Sequence, residues 1–335
     1  MEDILDVFEW MEANLRMRES DTADMQYRGE SQSGESLPLV YLPFDVNHPG
    51  HWSDRGCALD FAHVAGPGRV LDFGPGDGWP SLIVAPFVEE VVGVDGADDR
   101  ARVCTRNAQR IGITNASFVH VPPGQPLPFP DASFDGVMAC SSIEETPDPR
   151  RTLEELHRVL KPGGRLRFLH AGFSEYLGQP EYSLEGPTFD GRHARLELWE
   201  RHIDQEWVRR TVLSLDLTAE QVEEVFRRHG RLLSYDGLNE EILSDLHPYV
   251  VDAPYYKKNC AHTNTFVRWL GEIGFSDAKV TYSGRWFAGQ LFHQIPEEQR
   301  PKDYHGVDDL LKPLIPIIIG MEKPAEHSDC ITAVK

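Results

Sequence analysis

Three glycines in five residues, Gly74, Gly76 and Gly78, with Pro75 between the first two, follow the short apolar run Val70-Leu71-Asp72-Phe73. Glycine adopts positive φ freely, so a turn of this kind lets the main chain approach a ligand closely. Pro80 then stands where a helix starts, a position that tolerates its fixed φ and missing N–H. A ligand at the turn therefore meets a helix N-terminus. Further on, Glu90-Val91-Val92-Gly93-Val94-Asp95 reads as a second strand that ends in a carboxylate followed by Gly96. That acid falls about twenty residues past the turn, where a cofactor ribose lies, and one carboxylate accepts from both ribose hydroxyls. The dinucleotide fingerprint G-x-G-x-x-G needs a third glycine so that helix and strand pack closely. Here that position is Trp79, which argues against a nicotinamide dinucleotide.

A second group of candidates follows the strand Phe134 to Cys140, which delivers Ser141-Ser142-Ile143-Glu144-Glu145 to the carboxyl edge of a parallel sheet. Adjacent carboxylates repel, and burial raises one of them toward the range useful for a general base. The alternative is that Glu144 and Glu145 open the next helix, where acids suit the dipole. His170, after the strand Arg165 to Leu169, is a further candidate base, with a structural histidine as its alternative. His48 and His51 are spaced for a ligand pair, but no third ligand is placed with them. Cys57, Cys104, Cys140, Cys260 and Cys330 are scattered singly. Neither a metal site nor a disulfide framework is expected.

The pattern Gly74-x-Gly76-x-Gly78 resembles motif I of the class I S-adenosylmethionine-dependent methyltransferases, and Asp95 matches their ribose-binding acid. The likeness continues through Leu127-Pro128-Phe129-Pro130-Asp131-Ala132-Ser133-Phe134-Asp135-Gly136-Val137 and His157-Arg158-Val159-Leu160-Lys161-Pro162-Gly163-Gly164-Arg165-Leu166. It resumes at Trp269-Leu270-Gly271-Glu272-Ile273-Gly274-Phe275, similar to the family's last helix and its Gly-Phe exit. The resemblance implies an α/β, Rossmann-like fold with a seven-stranded, mostly parallel sheet whose last strand is antiparallel, and S-adenosylmethionine as cofactor. It implies cofactor contacts from Asp72, Gly74, Pro75, Gly76, Gly78, Trp79, Asp95, Gly96, Gly124, Gln125 and Ser141. After the third strand the family carries an acid for the adenine amino group, whereas this chain has Pro122-Pro123-Gly124-Gln125. The main chain near Gly124, or the Gln125 amide, which both donates and accepts, is the expected substitute. The small-molecule methyltransferases are the subgroup implied. A scaffold that keeps this fold without catalysis and, further off, a nicotinamide-dependent oxidoreductase are the rival readings.

These residues need elements to hold them. The helix after the turn is expected to be short, because Pro86 interrupts it. Asp98 is expected to cap the next helix, which runs to Ile111 and leads to a third strand, Asn115 to Val121. Residues 1–60 read as an N-terminal arm, with an amphipathic helix from Asp3 to Arg18 (Ile4, Phe8, Met11, Leu15) and a second helix from Ser53 to His63. Residues 61–173 and 262–335 read as the core. Residues 174–261 break the family pattern and read as an inserted substrate-capping module. In it, Ala194 to Ile203 and Glu206 to Leu217 suggest a hairpin, and Thr218 with Gln221 suggests a capping box. Its aromatics line an acceptor pocket or fill its own core. The chain then returns to type, with a helix to Ile273, a strand from Ala278 to Tyr282, an extension from Trp286 to His327 and a closing strand from Cys330 to Val334.

The 335 residues carry 33 Lys plus Arg against 54 Asp plus Glu, a net charge of -21. That charge opposes binding to nucleic-acid backbones and anionic lipid. The longest apolar stretch, Leu310 to Met321, is too short and too broken by Lys312, Pro313 and Pro316 to span a bilayer. No leader is visible after Met1-Glu2-Asp3, so a cytoplasmic protein acting on a small molecule is expected. The oligomeric state is left open.

Overall fold

The computed structural model describes residues 6–20, 44–170, 180–189, 191–324 and 330–335, with Val64 and Ala65 described by backbone alone. Two compact units result, one of residues 30–175 and 261–335, the other of residues 1–29 and 176–260.

The larger unit is built on a seven-stranded sheet of β1 (Arg69–Phe73), β2 (Glu90–Asp95), β3 (Ala116–His120), β4 (Phe134–Cys140), β5 (Leu160–Leu169), β6 (Ser276–Val280) and β7 (Cys330–Val334). Its spatial order is β6-β7-β5-β4-β1-β2-β3. β1 to β5 run parallel, and β7 is antiparallel between β5 and β6. The central strands are apolar because both faces are covered. Val70, Leu71, Val91, Val92, Val137 and Met138 are all buried. The strand order reverses between β1 and β4, and ligands of open parallel sheets bind at the carboxyl side of such a switch point.

Helices cover both faces: α1 (Pro49–Ala65), α2 (Ser81–Val84), α3 (Asp98–Ile111), α4 (Pro149–Val159), α5 (Thr263–Ile273), α6 (Gly284–Gln294), α7 (Tyr304–Leu311) and α8 (Ile315–Gly320). Leu153, Leu156, Phe266 and Leu270 of α4 and α5 pack with Leu71, Val92 and Phe168. On the other face, Cys57, Ala58 and Phe61 of α1 pack with Val70 and Met138. The apolar stretch from Leu310 is absorbed in a further layer, where Leu311, Ile315 and Ile319 recur every four residues against Trp52 and Leu59 of α1. No helix among the described residues is long and apolar enough to cross a membrane.

α1 and α6 cross with main chain against main chain. A Cβ on Gly56 would lie 2.2 Å from the Gly284 carbonyl oxygen, and one on Gly284 would lie 2.6 Å from the Gly56 oxygen. Gly56→Ala is therefore expected to destabilise the protein by about 1–3 kcal/mol through overpacking. Urea unfolding reads the loss as a lower midpoint, and an unchanged midpoint would mean that the helices do not meet this closely.

Several expectations need correction. α1 begins at Pro49, earlier than Ser53, since proline is well placed in a first turn. Asp98 is not the cap of α3; Ala97 occupies that position, and Asp98 pairs with Arg102 one turn on. β3 is shorter than expected because Asn115 turns aside to donate to the Ala85 and Val88 carbonyls at 2.8 and 3.1 Å. β5 starts at Leu160, with Gly163 at φ +77 inside the strand. β6 runs Ser276–Val280, after which Thr281 forms a lone bridge with Glu322. Glu144 and Glu145 do not open a helix; they sit in a turn, and α4 starts at Pro149 under an Asp148 cap.

In the smaller unit a six-stranded sheet contains the expected hairpin, Ala194–His202 with Trp207–Leu215. The helix Ala219–Arg228 carries the expected capping box of Thr218 and Gln221. The N-terminal helix is shorter than expected, Val7–Asn14 under an Asp6 cap. Its Val7, Phe8 and Met11 pack with Leu196, Leu213 and Phe226, so this segment belongs to the insert's core rather than to a separate arm ending at residue 60. Most of the insert's aromatics are engaged within the unit. Tyr182 stacks on Tyr235 at 5.1 Å, Trp207 on His202 at 3.9 Å, and Tyr256 is buried. Ile4 lies outside the described residues.

Candidate functional site

The glycine turn leaves β1 at the switch point, and each glycine has a different job. Gly74, at φ +77, must lack a side chain because a Cβ would lie 2.3 Å from the Ser142 Cβ. Ser142 Oγ donates to the Phe73 carbonyl at 2.5 Å, which binds the loop after β4 to the turn after β1. Gly78, at φ +111, gives room to Leu82 of α2. Gly76, at φ +62, has nothing within 4 Å of its missing side chain, so it is the open point of the turn. Two side chains of α3 hold the turn from behind: Cys104 Sγ donates to the Gly76 carbonyl at 3.2 Å, and Asn107 Nδ2 to the Asp77 carbonyl at 2.7 Å.

Asp95 closes the other side. Its Oδ2 accepts from the Gly76 N–H at 3.2 Å and its Oδ1 from the Ala97 N–H at 2.9 Å. A carboxylate offers about four lone-pair positions, so both oxygens can still accept. Burial raises its pKa, while the N–H groups of Ala97 and Gly76 and the charge of Arg100 pull it down. Gly96 follows, its carbonyl 3.2 Å from His120 Nε2. The Val121 N–H donates to the Asp95 carbonyl at 2.9 Å, which runs the Pro122–Gln125 turn out beside Asp95. In that turn Gly124 is at φ +76 with open space around it, and Gln125 is exposed. Pro75 is buried and packs close to Gly93, where a Cβ would lie 3.0 Å from Pro75 Cγ. Ser141 is exposed in the left-handed region at φ +48, its N–H on the Leu169 carbonyl at 2.9 Å. Strain of that kind collects at ligand sites.

Asp72 is fully buried beneath the turn. Oδ2 accepts from Ser81 Oγ at 2.6 Å, and Oδ1 has no partner among the described residues. Burial raises its pKa from 3.8 to about 7, with the Ser81 hydrogen bonds opposing and Asp95 adding to the rise. The unfolded chain loses this proton near the ordinary value and the folded chain holds it to about 7. Between the two values the folded state binds more protons, so this group's stabilising contribution falls as pH rises and is lost above the folded value. Asp72→Asn is expected to flatten the fall of thermal stability over that interval. Parallel curves for the two proteins would show that Asp72 does not titrate there.

The candidate bases are placed differently. Glu144 is 3% exposed, and His170 is 1% exposed between the rings of Phe168 and Phe266, with Nε2 at 3.2 Å from Thr263 Oγ1. Glu145 is partly exposed in the same turn as Glu144. The structure thus brings the glycine turn, Asp95, Gly96 and Ser141 to one edge and sets His170 among core aromatics. Trp79 stands at the same edge, its Nε1 donating to Asp54 Oδ1 at 3.1 Å and its ring 5.1 Å from the Arg285 guanidinium carbon. Asp54, Arg285, Cys104 and Asn107 are given no role by the sequence reading, and Ser142 is placed at the edge by it without its tie to the turn. Asn107 alone left a signal, a buried amide on the apolar face of α3. The His48 and His51 rings lie 4.5 Å apart, tilted by 32°, and His51 Nδ1 accepts from the Asp45 N–H.

A switch-point glycine turn facing a strand-end acid defines a nucleoside-cofactor domain. Residues 71–168 match the methyltransferase domain family. An uncharacterized methyltransferase of Bacillus subtilis is 33% identical over 137 residues, covering 41% of this chain and 50% of that protein. The 27-O-demethylrifamycin SV methyltransferase of Amycolatopsis mediterranei is 30% identical over 132 residues, 36% of this chain and 48% of that protein. The demethylmenaquinone methyltransferase of Thermus thermophilus is 38% identical over 118 residues, 34% of this chain and 51% of that protein. The chain spans about half the length of these curated relatives.

Proposed function

We propose that this protein transfers a methyl group from S-adenosylmethionine to a small-molecule acceptor. The observation that carries the reading is the open Gly76 turn tied to the Asp95 carboxylate at the switch point. The partnerless Oδ1 of Asp72 adds a buried acceptor beneath the same turn. These groups fit the cofactor: Asp95 would take the ribose hydroxyls, and the main chain from Gly74 to Gly78 the amino-acid end. Gly96, Gly124 and Gln125 would meet the adenine, and Trp79 and Ser141 would border the reacting edge. When bound, the cofactor supplies a methyl group already activated on sulfur. The protein's share is then orientation and exclusion of water, with a base where the nucleophile is protonated.

Two relatives are named for demethylrifamycin SV and demethylmenaquinone, which supports a small-molecule acceptor. The net charge of -21 favours the same class over nucleic acid. Residues 176–260, with residues 1–29, are the proposed acceptor module. Five free cysteines suit a reducing cytoplasm. Mass spectrometry of ligand carried through purification tests the reading. S-adenosylmethionine or its demethylated product is expected, and a nicotinamide dinucleotide would contradict it.

A further inference from the structure

We propose that Asp54 and Arg285, with the Trp79 ring as their floor, form a proton-accepting and oxyanion-holding pair for an acceptor whose nucleophile is a hydroxyl on an aromatic ring. The inference rests on the methyl-transfer reading and names the acceptor's chemistry.

The three side chains come from three elements: Asp54 from α1, Arg285 from α6 and Trp79 from the turn after β1. The Gly56–Gly284 crossing is what brings α1 and α6 together beside that turn. A buried ion pair fixes the crossing, with both Asp60 oxygens on Arg167 at 2.8 Å and the Gly284 N–H on Asp60 Oδ2 at 2.8 Å. The Trp79 N–H orients the Asp54 carboxylate through Oδ1, and Oδ2 has no partner among the described residues. The Arg285 guanidinium lies over the face of the same indole and is exposed. No carboxylate lies within ion-pairing distance of it among the described residues. A base oriented by a third group, beside an unpaired cation and a flat apolar ring, suits an aromatic hydroxyl.

The groups facing Asp54 are the Trp79 N–H from the turn, Arg285 from α6, and His48 and the buried Cys57 thiol from its own side. Burial makes Asp54 more basic, while Arg285, Trp79 and His48 oppose that rise. Arg285 also acts on the Cys140 thiol at the end of β4, whose pKa burial pushes up to about 12. Trp79 belongs to the turn after β1, so the two side chains that meet its ring stand at the switch-point edge. In the proton step the acceptor O–H bond breaks and the proton bonds to Asp54 Oδ2. Negative charge moves from the carboxylate to the acceptor oxygen, which Arg285 holds, and the freed electron pair is the nucleophile.

The test uses the full chain saturated with S-adenosylhomocysteine and titrated with para-nitrophenol, whose ionised form is coloured, with para-nitroanisole as the protonless control. Bound nitrophenol is expected to ionise at about tenfold higher proton concentration than free nitrophenol, the lower end of the effect of an adjacent opposite charge. Arg285→Gln should abolish that shift, and Arg285→Lys should keep part of it. Midway between the ionisation points of free and bound nitrophenol, calorimetry in two buffers should find about half a proton released per phenol by Asp54→Asn and less by the parent protein, whose Asp54 takes it up. Retained S-adenosylhomocysteine affinity shows that each variant is folded. Nitrophenol that fails to bind, or that ionises alike in the parent and Arg285→Gln, overturns this inference alone. Failure of the parent protein to bind S-adenosylhomocysteine overturns the methyl-transfer reading and this inference with it.

Discussion

Arg167→Met is expected to cost the fold about 3–5 kcal/mol, the scale for breaking a buried ion pair by removing one partner. Arg167 is 1% exposed on β5, and all five of its N–H groups are used. Nε and Nη2 donate to the two oxygens of Asp60 on α1, Nη2 also to the Tyr282 carbonyl, and Nη1 to the hydroxyls of Thr281 and Thr332. One guanidinium thus ties β5 and β7 to α1 and to the chain entering α6. Its loss leaves the Asp60 carboxylate buried with, among the described residues, only the Gly284 N–H to satisfy it. Asp60→Asn in the Arg167→Met background removes that stranded charge and should recover part of the loss. Denaturant unfolding of the single and double variants measures both effects. If Arg167→Met unfolds at the parent midpoint, the pair does not hold the helices to the sheet.

Asp95→Ala is expected to weaken S-adenosylmethionine binding by about 1.5–3 kcal/mol, or roughly tenfold to more than a hundredfold. The lower bound is the loss of hydrogen bonds to a charged acceptor. A further loss follows because Asp95 also holds the Gly76 and Ala97 N–H groups, so the turn loosens with it. Titration calorimetry with the demethylated product measures it without turnover. Unchanged affinity would remove Asp95 from the site.

Legibility in the sequence follows the range of the interactions. β1, β2 and β4 are readable to within a residue, because buried parallel strands are short apolar runs ended by glycine or by polar residues, and the antiparallel β7 is a similar apolar run. The capping box at Thr218 and Gln221 is equally local, since both partners lie within one turn. What sequence cannot show is which distant elements meet. Gly56 and Gly284 look like weak points in two helices until their crossing makes them necessary. Asp54 carries no motif, and only the fold places it 3.1 Å from the Trp79 indole nitrogen. Residues 7–14 read correctly as an amphipathic helix, but the partner of the apolar face, some two hundred residues away, was not legible. Glu144 and His170 stood out by type and position, whereas their burial depends on side chains from elsewhere in the chain, such as Phe266 beside His170.

The central claim is that the turn from Gly74 to Gly78, paired with Asp95, holds S-adenosylmethionine. Its most direct test is calorimetric titration of the purified protein with S-adenosylhomocysteine and, separately, with NAD. The expected result is saturable binding of S-adenosylhomocysteine that Asp95→Ala weakens, with no heat from NAD. Binding of NAD in place of S-adenosylhomocysteine would contradict it.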